Sequence, residues 1–238
     1  MLYALFLTHV LANIATLVIK INNVSLLFMP STPTTFSKDL RQQLRHQRRQ
    51  LTSATQQQHA QQALKNAQQL LASNAFNHPQ NIALFISQDG ELSSQNLIQY
   101  LWQNTSHRVY LPVLQQHSEQ PMTFALYRPD SQLKNNRFHI PEPFNTSTIS
   151  ASQLDWVFTP LVAYDDSGNR MGMGGGFYDR TFAFKQHQHK NTKPHLIGWA
   201  HSLQKITTLP TQPWDIPLCG VINEIQLEWF YGREPLND

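Results

Sequence analysis

One cysteine, Cys219, stands among 238 residues. An intrachain disulfide is therefore excluded, and a reducing, cytoplasmic setting is the simplest inference. Charge is sparse as well, 14% of residues against 40% apolar, the balance of an ordinary globular protein with a Gln-rich surface. No internal repeat and no linker divides the chain, so it reads as one large domain with enough residues to bury a full core. The acidic side is the weaker: net charge is +3 with 11 histidines besides, and the pI is near 9.0. Such a balance suits an anionic ligand, and would also suit weak nucleic-acid contact. Glycine is scarce too, nine in all, yet four of them crowd into Gly172, Gly174, Gly175 and Gly176.

That crowding organises the rest. Without Cβ atoms the backbone can take positive φ and turn its N–H groups onto a bound anion, while Arg170 and Arg180 add fixed positive charge. The segment before it, Trp156 to Tyr164, reads as a buried strand. The one after, Phe177 to Phe184, can continue as a helix whose N-terminus faces the loop. A bland turn explains most glycine clusters. The loop has neither the Gly-Lys-Ser/Thr of a P-loop nor the spacing of the dinucleotide fingerprint. Its flanks shift the balance, because Asp165, Asp166 and Asp179 bracket the glycines, and a nucleoside triphosphate site needs both anion-binding amides and an oxygen ligand for Mg²⁺.

Elsewhere the pattern alternates between helix and strand. From Ser37, Lys38, Arg41, Arg45 and Arg48 recur at helical spacing beside a stripe of Leu40, Leu44 and Leu51. A solvated basic face is the plain reading of that run. Ser53 and Gln56 can cap a second helix with Ala60, Ala63, Leu64, Ala67, Leu70 and Leu71 as its buried stripe. Asn81 to Ser87 reads as a strand, Asp89-Gly90 as a turn presenting Glu91, Ser94 to Gln103 as a helix, and Arg108 to Val113 as the next strand. Strand, helix, strand implies a parallel crossover. Met122 to Tyr127 alternates weakly. Gln132 to Ser152 is a long polar connection with Pro141 and Pro143, long enough to border a site. Leu196 to Ala200 and Gly220 to Asn223 supply the last strands, and the histidines of His187-Gln-His-Lys190 read as solvent-facing rather than as metal ligands.

Pro160-Leu-Val-Ala-Tyr-Asp165, followed by Gly168-Asn-Arg-Met-Gly-Met-Gly-Gly-Gly-Phe-Tyr-Asp-Arg180, resembles the signature of the 5-formyltetrahydrofolate cyclo-ligase family. Ile82-Ala-Leu-Phe-Ile-Ser-Gln-Asp-Gly-Glu-Leu92 is similar to that family's early strand and substrate loop, Arg108-Val-Tyr-Leu-Pro-Val113 to its second strand, and Trp214-Asp-Ile-Pro217 to its late acidic turn. The matches fall in order from about Ser37 to Phe230. The expected fold is a single three-layer α/β domain, Rossmann-like, with a mostly parallel twisted sheet, helices on both faces and the active residues at the carboxyl ends of the strands.

The resemblance implies ATP-dependent cyclisation of 5-formyltetrahydrofolate, possibly polyglutamylated, to 5,10-methenyltetrahydrofolate, with Mg²⁺ as cofactor and ATP as co-substrate. It implies that Lys38, Arg41, Arg170, Met171, Gly172, Met173, Gly174, Gly175, Gly176, Phe177 and Tyr178 bind ATP, with Arg170 and Tyr178 catalytic. Ile86 and Glu91 would contact the folate, and Asp179 and Asp215 would hold the metal. Taken singly, Asp179 could cap a helix, Asp215 could fix a turn and Glu91 could be a surface residue; their joint order favours the site. Two departures stand out: Gly175 falls where some relatives carry lysine, and Tyr164 where phenylalanine is usual.

Residues 1–36 lie outside the resemblance. Leu2 to Ile19 carries no charge, so a membrane segment, a signal peptide and a dispensable extension all stay open. The extension is favoured, with residues 37–238 as the cyclo-ligase domain and a shorter product starting at Met29 complete. No stable membrane association and a monomer are expected. Two other functions remain in view. A nucleic-acid-binding module built on the basic helix lacks interleaved aromatic residues for base stacking. An ATP-dependent ligase or kinase on another small molecule would keep the same phosphate site.

Overall fold

The computed structural model describes residues 19–21, 24–26, 33–117, 119–187 and 192–230. An antiparallel pair, β1 (Ile19–Ile21) and β2 (Val24–Leu26), precedes helices α1 (Pro33–Arg49) and α2 (Ser53–Leu71). Then come β3 (Asn81–Ala83), α3 (Gln95–Asn104), β4 (Arg108–Val113) and β5 (Thr123–Leu126). A side hairpin of β6 (Leu133–Asn135) and β7 (Pro141–Pro143) leads to β8 (Thr148–Ile149) and β9 (Trp156–Thr159). A second hairpin, β10 (Ala163–Tyr164) and β11 (Arg170–Met171), precedes the short α4 (Phe177–Thr181), and β12 (His195–Trp199), β13 (Gly220–Ile222) and β14 (Leu227–Trp229) follow.

Eight strands form one sheet in the order β14-β13-β12-β9-β3-β4-β5-β8. The five from β13 to β4 are mutually parallel. The edges β14, β5 and β8 are antiparallel. Numbered along the chain, the parallel strands run 2-1-3-4-5 from β4, so the winding reverses between β3 and β9. A crevice opens beyond the carboxyl ends of two strands at such a reversal.

Period-two alternation decides what each face buries. Val109 and Leu111 of β4, Trp156 and Phe158 of β9, and Ile197 and Trp199 of β12 point to one face, where Ala60, Ala63, Ala67 and Leu70 of α2 and Leu97, Ile98 and Leu101 of α3 meet them. The alanines of α2 let that helix approach closely. Tyr110, Val157, Leu196 and Val221 point the other way, against Leu161, Phe182 and Leu218. The α/β layering expected from the sequence holds, but its halves are unequal: the second face is covered by α4, a 3-10 turn at Ala183–His187 and loops. Helix α1 packs past the carboxyl ends of the strands, with Leu40 and Leu44 against Val162, Ala163, Met171, Ile206 and Leu209. Among the described residues no helix is long and apolar enough to cross a membrane.

Several local expectations are corrected. Helix α1 begins at Pro33, ahead of Ser37. The cap of α2 is Thr52, whose side chain accepts from the Thr55 amide, and Ser53 is already helical. Strand β3 ends at Ala83 because the chain turns away to build the Asp89-Gly90 turn, with Leu84 donating one more bond to Tyr110. Gln132 to Ser152 is no open connection: it holds the β6–β7 hairpin and β8. The helix expected to Phe184 stops at Thr181. The Tyr164 hydroxyl has a reason to be there, since it accepts a 3.0 Å bond from Asn223 Nδ2 in the core, where burial pushes its pKa up to about 12. The reading of residues 1–18 and of the histidine side chains of 187–190 lies outside the described residues.

Candidate functional site

The β10–β11 hairpin aims the glycine loop. Asp165, buried, closes its turn by accepting from the amides of Ser167 and Asn169 at 3.0 Å, from Asn169 Nδ2 at 2.9 Å and from the Leu209 amide at 2.9 Å. Its carboxylate is thus saturated and unavailable to a cation. Asp166 pairs instead with Lys205 at 2.7 Å on the solvent side. Of the three carboxylates expected to bracket the glycines, only Asp179 remains at the site. Beyond Met171 the loop is exposed, with φ of +96° at Gly174 and +64° at Gly176, values a side-chain-bearing residue reaches only under strain. Among the described residues no backbone amide from Gly172 to Tyr178 donates to a protein acceptor. A run of unsatisfied N–H groups ending at a helix start forms a cradle for an anion.

Two arginines grip the loop. Arg41 of α1 donates from Nε to the Gly172 carbonyl at 2.8 Å and lies across Gly174, whose missing Cβ would sit 3.7 Å from the guanidinium carbon. Partial burial, then the charge of Arg45, lowers its pKa. Arg180 donates to the Gly175 carbonyl at 2.7 Å and covers the Phe177 ring at 5.2 Å. Lys38 is one turn earlier on α1 and exposed. At Gly175 a Cβ would fall 2.7 Å from the Phe177 ring, so a lysine there would have to displace it. That ring also meets Phe138 edge-on at 5.9 Å. Where some relatives carry a charge, this chain has aromatic packing.

Behind the loop, Arg170, Asp179 and Asp215 form one constellation. The Arg170 side chain is 4% exposed and reaches Asp179 Oδ1 at 2.7 Å, while also donating to the Ile216 carbonyl. Burial lowers its pKa and the Asp179 charge opposes that. Asp179 Oδ1 also accepts from the Ile216 amide at 3.3 Å, and Asp215 Oδ2 from the Gln212 amide at 2.8 Å. Burial raises the Asp215 pKa, and the neighbouring Asp179 charge adds to the rise. Burial likewise raises that of Tyr178, with Glu91's charge adding and Arg170's opposing, so the phenol stands between the two clusters as a neutral donor.

Across the crevice, the Asp89-Gly90 turn presents Glu91. Arg45, Arg48 and Arg49 converge on Asp89 at 2.7, 2.9 and 3.3 Å. Burial works against the Asp89 charge, but the bonds from Arg45 and Arg48 outweigh it and hold the pKa low. Arg48 is fully buried, donates to the carbonyls of Asp89 and Leu161, and lies 3.6 Å from Glu91. Glu91 accepts from the Gln88 amide at 2.9 Å, and burial raises its pKa. Ile86 packs partly buried against the core below the turn.

The chain matches the 5-formyltetrahydrofolate cyclo-ligase family over residues 34–224. The chain belongs to this family. It is 42% identical over 189 residues to the 5-formyltetrahydrofolate cyclo-ligase of Escherichia coli K12, covering 78% of this chain and 100% of that protein. To the Haemophilus influenzae protein of the same name it is 41% identical over 187 residues, covering 78% and 96%. The NMR structure of Aquifex aeolicus 5,10-methenyltetrahydrofolate synthetase superposes with a TM-score of 0.68 at 23% identity, covering 85% of this chain and 97% of that one. The Mycoplasma pneumoniae synthetase gives 0.62 at 22%, covering 79% and 98%.

In this cyclo-ligase chain the structure links Arg41 to Gly172, Arg48 to Met173 and Glu91, and Arg170 to Asp179, with the Asp215 charge acting on Arg170. Lys38 it leaves at the rim. The acidic pair fits a divalent cation, since each carboxylate has one oxygen engaged by a protein donor and the Asp179 charge, after burial, raises the Asp215 pKa. Three residues have roles that the sequence reading does not assign. Arg48 was grouped with the solvated basic face, although it follows Leu40 and Leu44 at steps of four, which put it on the buried stripe. Arg137 and Phe138, from the β6–β7 hairpin, reach the Phe177 ring, a contact with no local signal in the sequence.

Proposed function

We propose that this chain catalyses the ATP-dependent cyclisation of 5-formyltetrahydrofolate to 5,10-methenyltetrahydrofolate, releasing ADP and phosphate. The observation that carries this reading is the family's glycine loop, its amides open toward the crevice at the β3/β9 reversal, with Glu91 on the opposite wall. The formyl oxygen is a poor leaving group. Transfer of the γ-phosphoryl group to it gives a phosphorylated imidate, which N10 attacks; loss of phosphate then leaves the methenyl bridge. Little covalent work falls to the protein, so positioning and charge carry the rate.

The Gly172–Tyr178 amides and Arg41 hold the phosphates, with Lys38 at the entrance, and Glu91 accepts hydrogen bonds from the pterin while Ile86 packs against it. Tyr178, neutral between the two walls, donates toward the oxygens that gain charge. Arg170 sets the orientation of Asp179 from behind. Asp179 and Asp215 would hold Mg²⁺, which supplies charge neutralisation on the transferred group when bound. We take the substrate to include polyglutamylated folate, and we place the enzyme in the cytoplasm as a monomer whose working domain is residues 37–238. Absorbance in the methenyl band, followed after adding 5-formyltetrahydrofolate with and without Mg-ATP, is the test. An ATP-dependent rise is expected; its absence, with ADP released on another acceptor, would favour a different small-molecule substrate.

A further inference from the structure

On the far side of the Glu91 turn, three side chains that the cyclisation does not use converge. His59 comes from α2, His201 follows β12 and Glu224 follows β13. His59 Nδ1 lies 2.9 Å from His201 Nδ1 and 3.7 Å from Glu224 Oε1, and the three ligand atoms fall within 4.8 Å of one another. Bonds of about 2.0–2.1 Å at tetrahedral angles put ligand atoms about 3.3 Å apart. Both measured separations therefore need to change by only about 0.4 Å, one opening and the other closing, to meet that spacing.

The surroundings orient two of the three groups, His201 and Glu224. His201 Nε2 is 3.3 Å from the Gly90 carbonyl. A carbonyl can only accept, so Nε2 carries the proton and Nδ1 is bare; in the metal-free chain it accepts from the His59 Nδ1–H, a proton that an incoming ion displaces. A ring N–H tied to a backbone carbonyl is the usual support behind a metal-binding imidazole. Burial pushes the His201 pKa down to about 4, keeping the ring neutral. Glu224 is oriented by Ser202, whose amide donates to both carboxylate oxygens at 3.3 and 3.0 Å and whose hydroxyl donates to Oε1. His201 is fully buried and Glu224 largely so.

We propose that His59, His201 and Glu224 form a site for one transition-metal ion of the Zn²⁺ class, separate from the phosphate crevice. Two imidazoles and a carboxylate select Zn²⁺ over Mg²⁺, which prefers oxygen and keeps its water. The ion ties α2 to the carboxyl ends of β12 and β13. Through His201 it also anchors the Gly90 carbonyl, next to the substrate-facing Glu91. Apart from these residues, no group of three His, Cys, Asp or Glu side chains among the described residues comes close enough to share an ion.

The test uses the full chain, stripped with a chelator and free of nucleotide. Zn²⁺ alone is titrated by calorimetry near neutral pH, and Co²⁺ serves as a visible-absorbing substitute. One equivalent should bind, Co²⁺ should give the ligand-field bands of a nitrogen-and-oxygen site, and saturating Zn²⁺ should raise the melting temperature by roughly 5–10 °C. His59 is partly exposed, so His59→Ala should leave the fold in place, checked by its circular dichroism, and should weaken binding on the order of a hundredfold; Glu224→Gln should do likewise. Asp215→Asn should bind Zn²⁺ as the parent does. Absence of stoichiometric binding, binding indifferent to His59→Ala and Glu224→Gln, or binding abolished by Asp215→Asn would each overturn the proposal.

Discussion

Two clusters of arginine and carboxylate face each other across the crevice, and they are charged in opposite senses. At the Asp89 turn three arginines meet two carboxylates, Asp89 and Glu91. Behind the glycine loop one arginine, Arg170, meets two carboxylates, Asp179 and Asp215. The first is over-satisfied and rigid: Arg48 is buried with its donors on Asp89 and on two backbone carbonyls. The second sets two carboxylates against one guanidinium, with the Asp215 pKa raised by burial first and by the Asp179 charge after it. A cluster with excess cation locks a turn in place, whereas one with excess carboxylate has something left to bind. Folding has settled the first, and a ligand cation would settle the second.

The sharpest way to break that comparison is Arg48→Met. It keeps the stem but leaves Glu91 and part of Asp89 buried without their partner, so unfolding free energy should drop by about 3–5 kcal/mol in chemical denaturation. A loss under one unit would mean that Arg45 and Arg49 suffice. Next comes Asp179→Asn, which should lower turnover by about a hundredfold, on the order of 3 kcal/mol, with partial recovery as Mg²⁺ is raised. Full turnover at limiting Mg²⁺ would show that the carboxylate only orients Arg170.

Glu91→Gln probes the wall opposite. A weakened bond to a charged group is worth roughly 1.5–3 kcal/mol, so the folate KM should rise about tenfold or more while that for ATP stays put. The pH dependence has a definite sign. Because burial raises the Glu91 pKa, the carboxylate proposed to bind the pterin is lost, as pH falls, earlier than an ordinary glutamate would be. Folate affinity should therefore decline on the acid side, and Glu91→Gln should flatten that limb in a KM-against-pH profile. The smallest effect belongs to Arg49→Ala. Arg49 reaches the same Asp89 but is 46% exposed, so removing it should shift stability by about 0.5 kcal/mol or less. A loss matching that of Arg48→Met would erase the distinction between buried and exposed partners.

Sequence by itself determined the α/β class, the parallel crossover from β3 to β4, the Asp89-Gly90 turn and the glycine loop, because each depends on short-range periodicity or on glycine's missing side chain. The order of motifs also nominated Glu91, Asp179 and Asp215, whose membership of one site the substitutions above test. Tertiary structure alone decided which charges remain available. Asp165 and Asp179 flank the same glycines, yet one is consumed by its own hairpin and by the Leu209 amide, and no local pattern distinguishes them. Arg48 shares the stripe of Leu40 and Leu44, but only packing brings the Leu161 carbonyl and Asp89 that satisfy its buried guanidinium. The antiparallel edge β14, the β6–β7 hairpin over Phe177 and the meeting of His59 with His201 and Glu224 join residues far apart in the chain. Partners at such separations are chosen when layers pack, and periodicity within a segment carries no record of them.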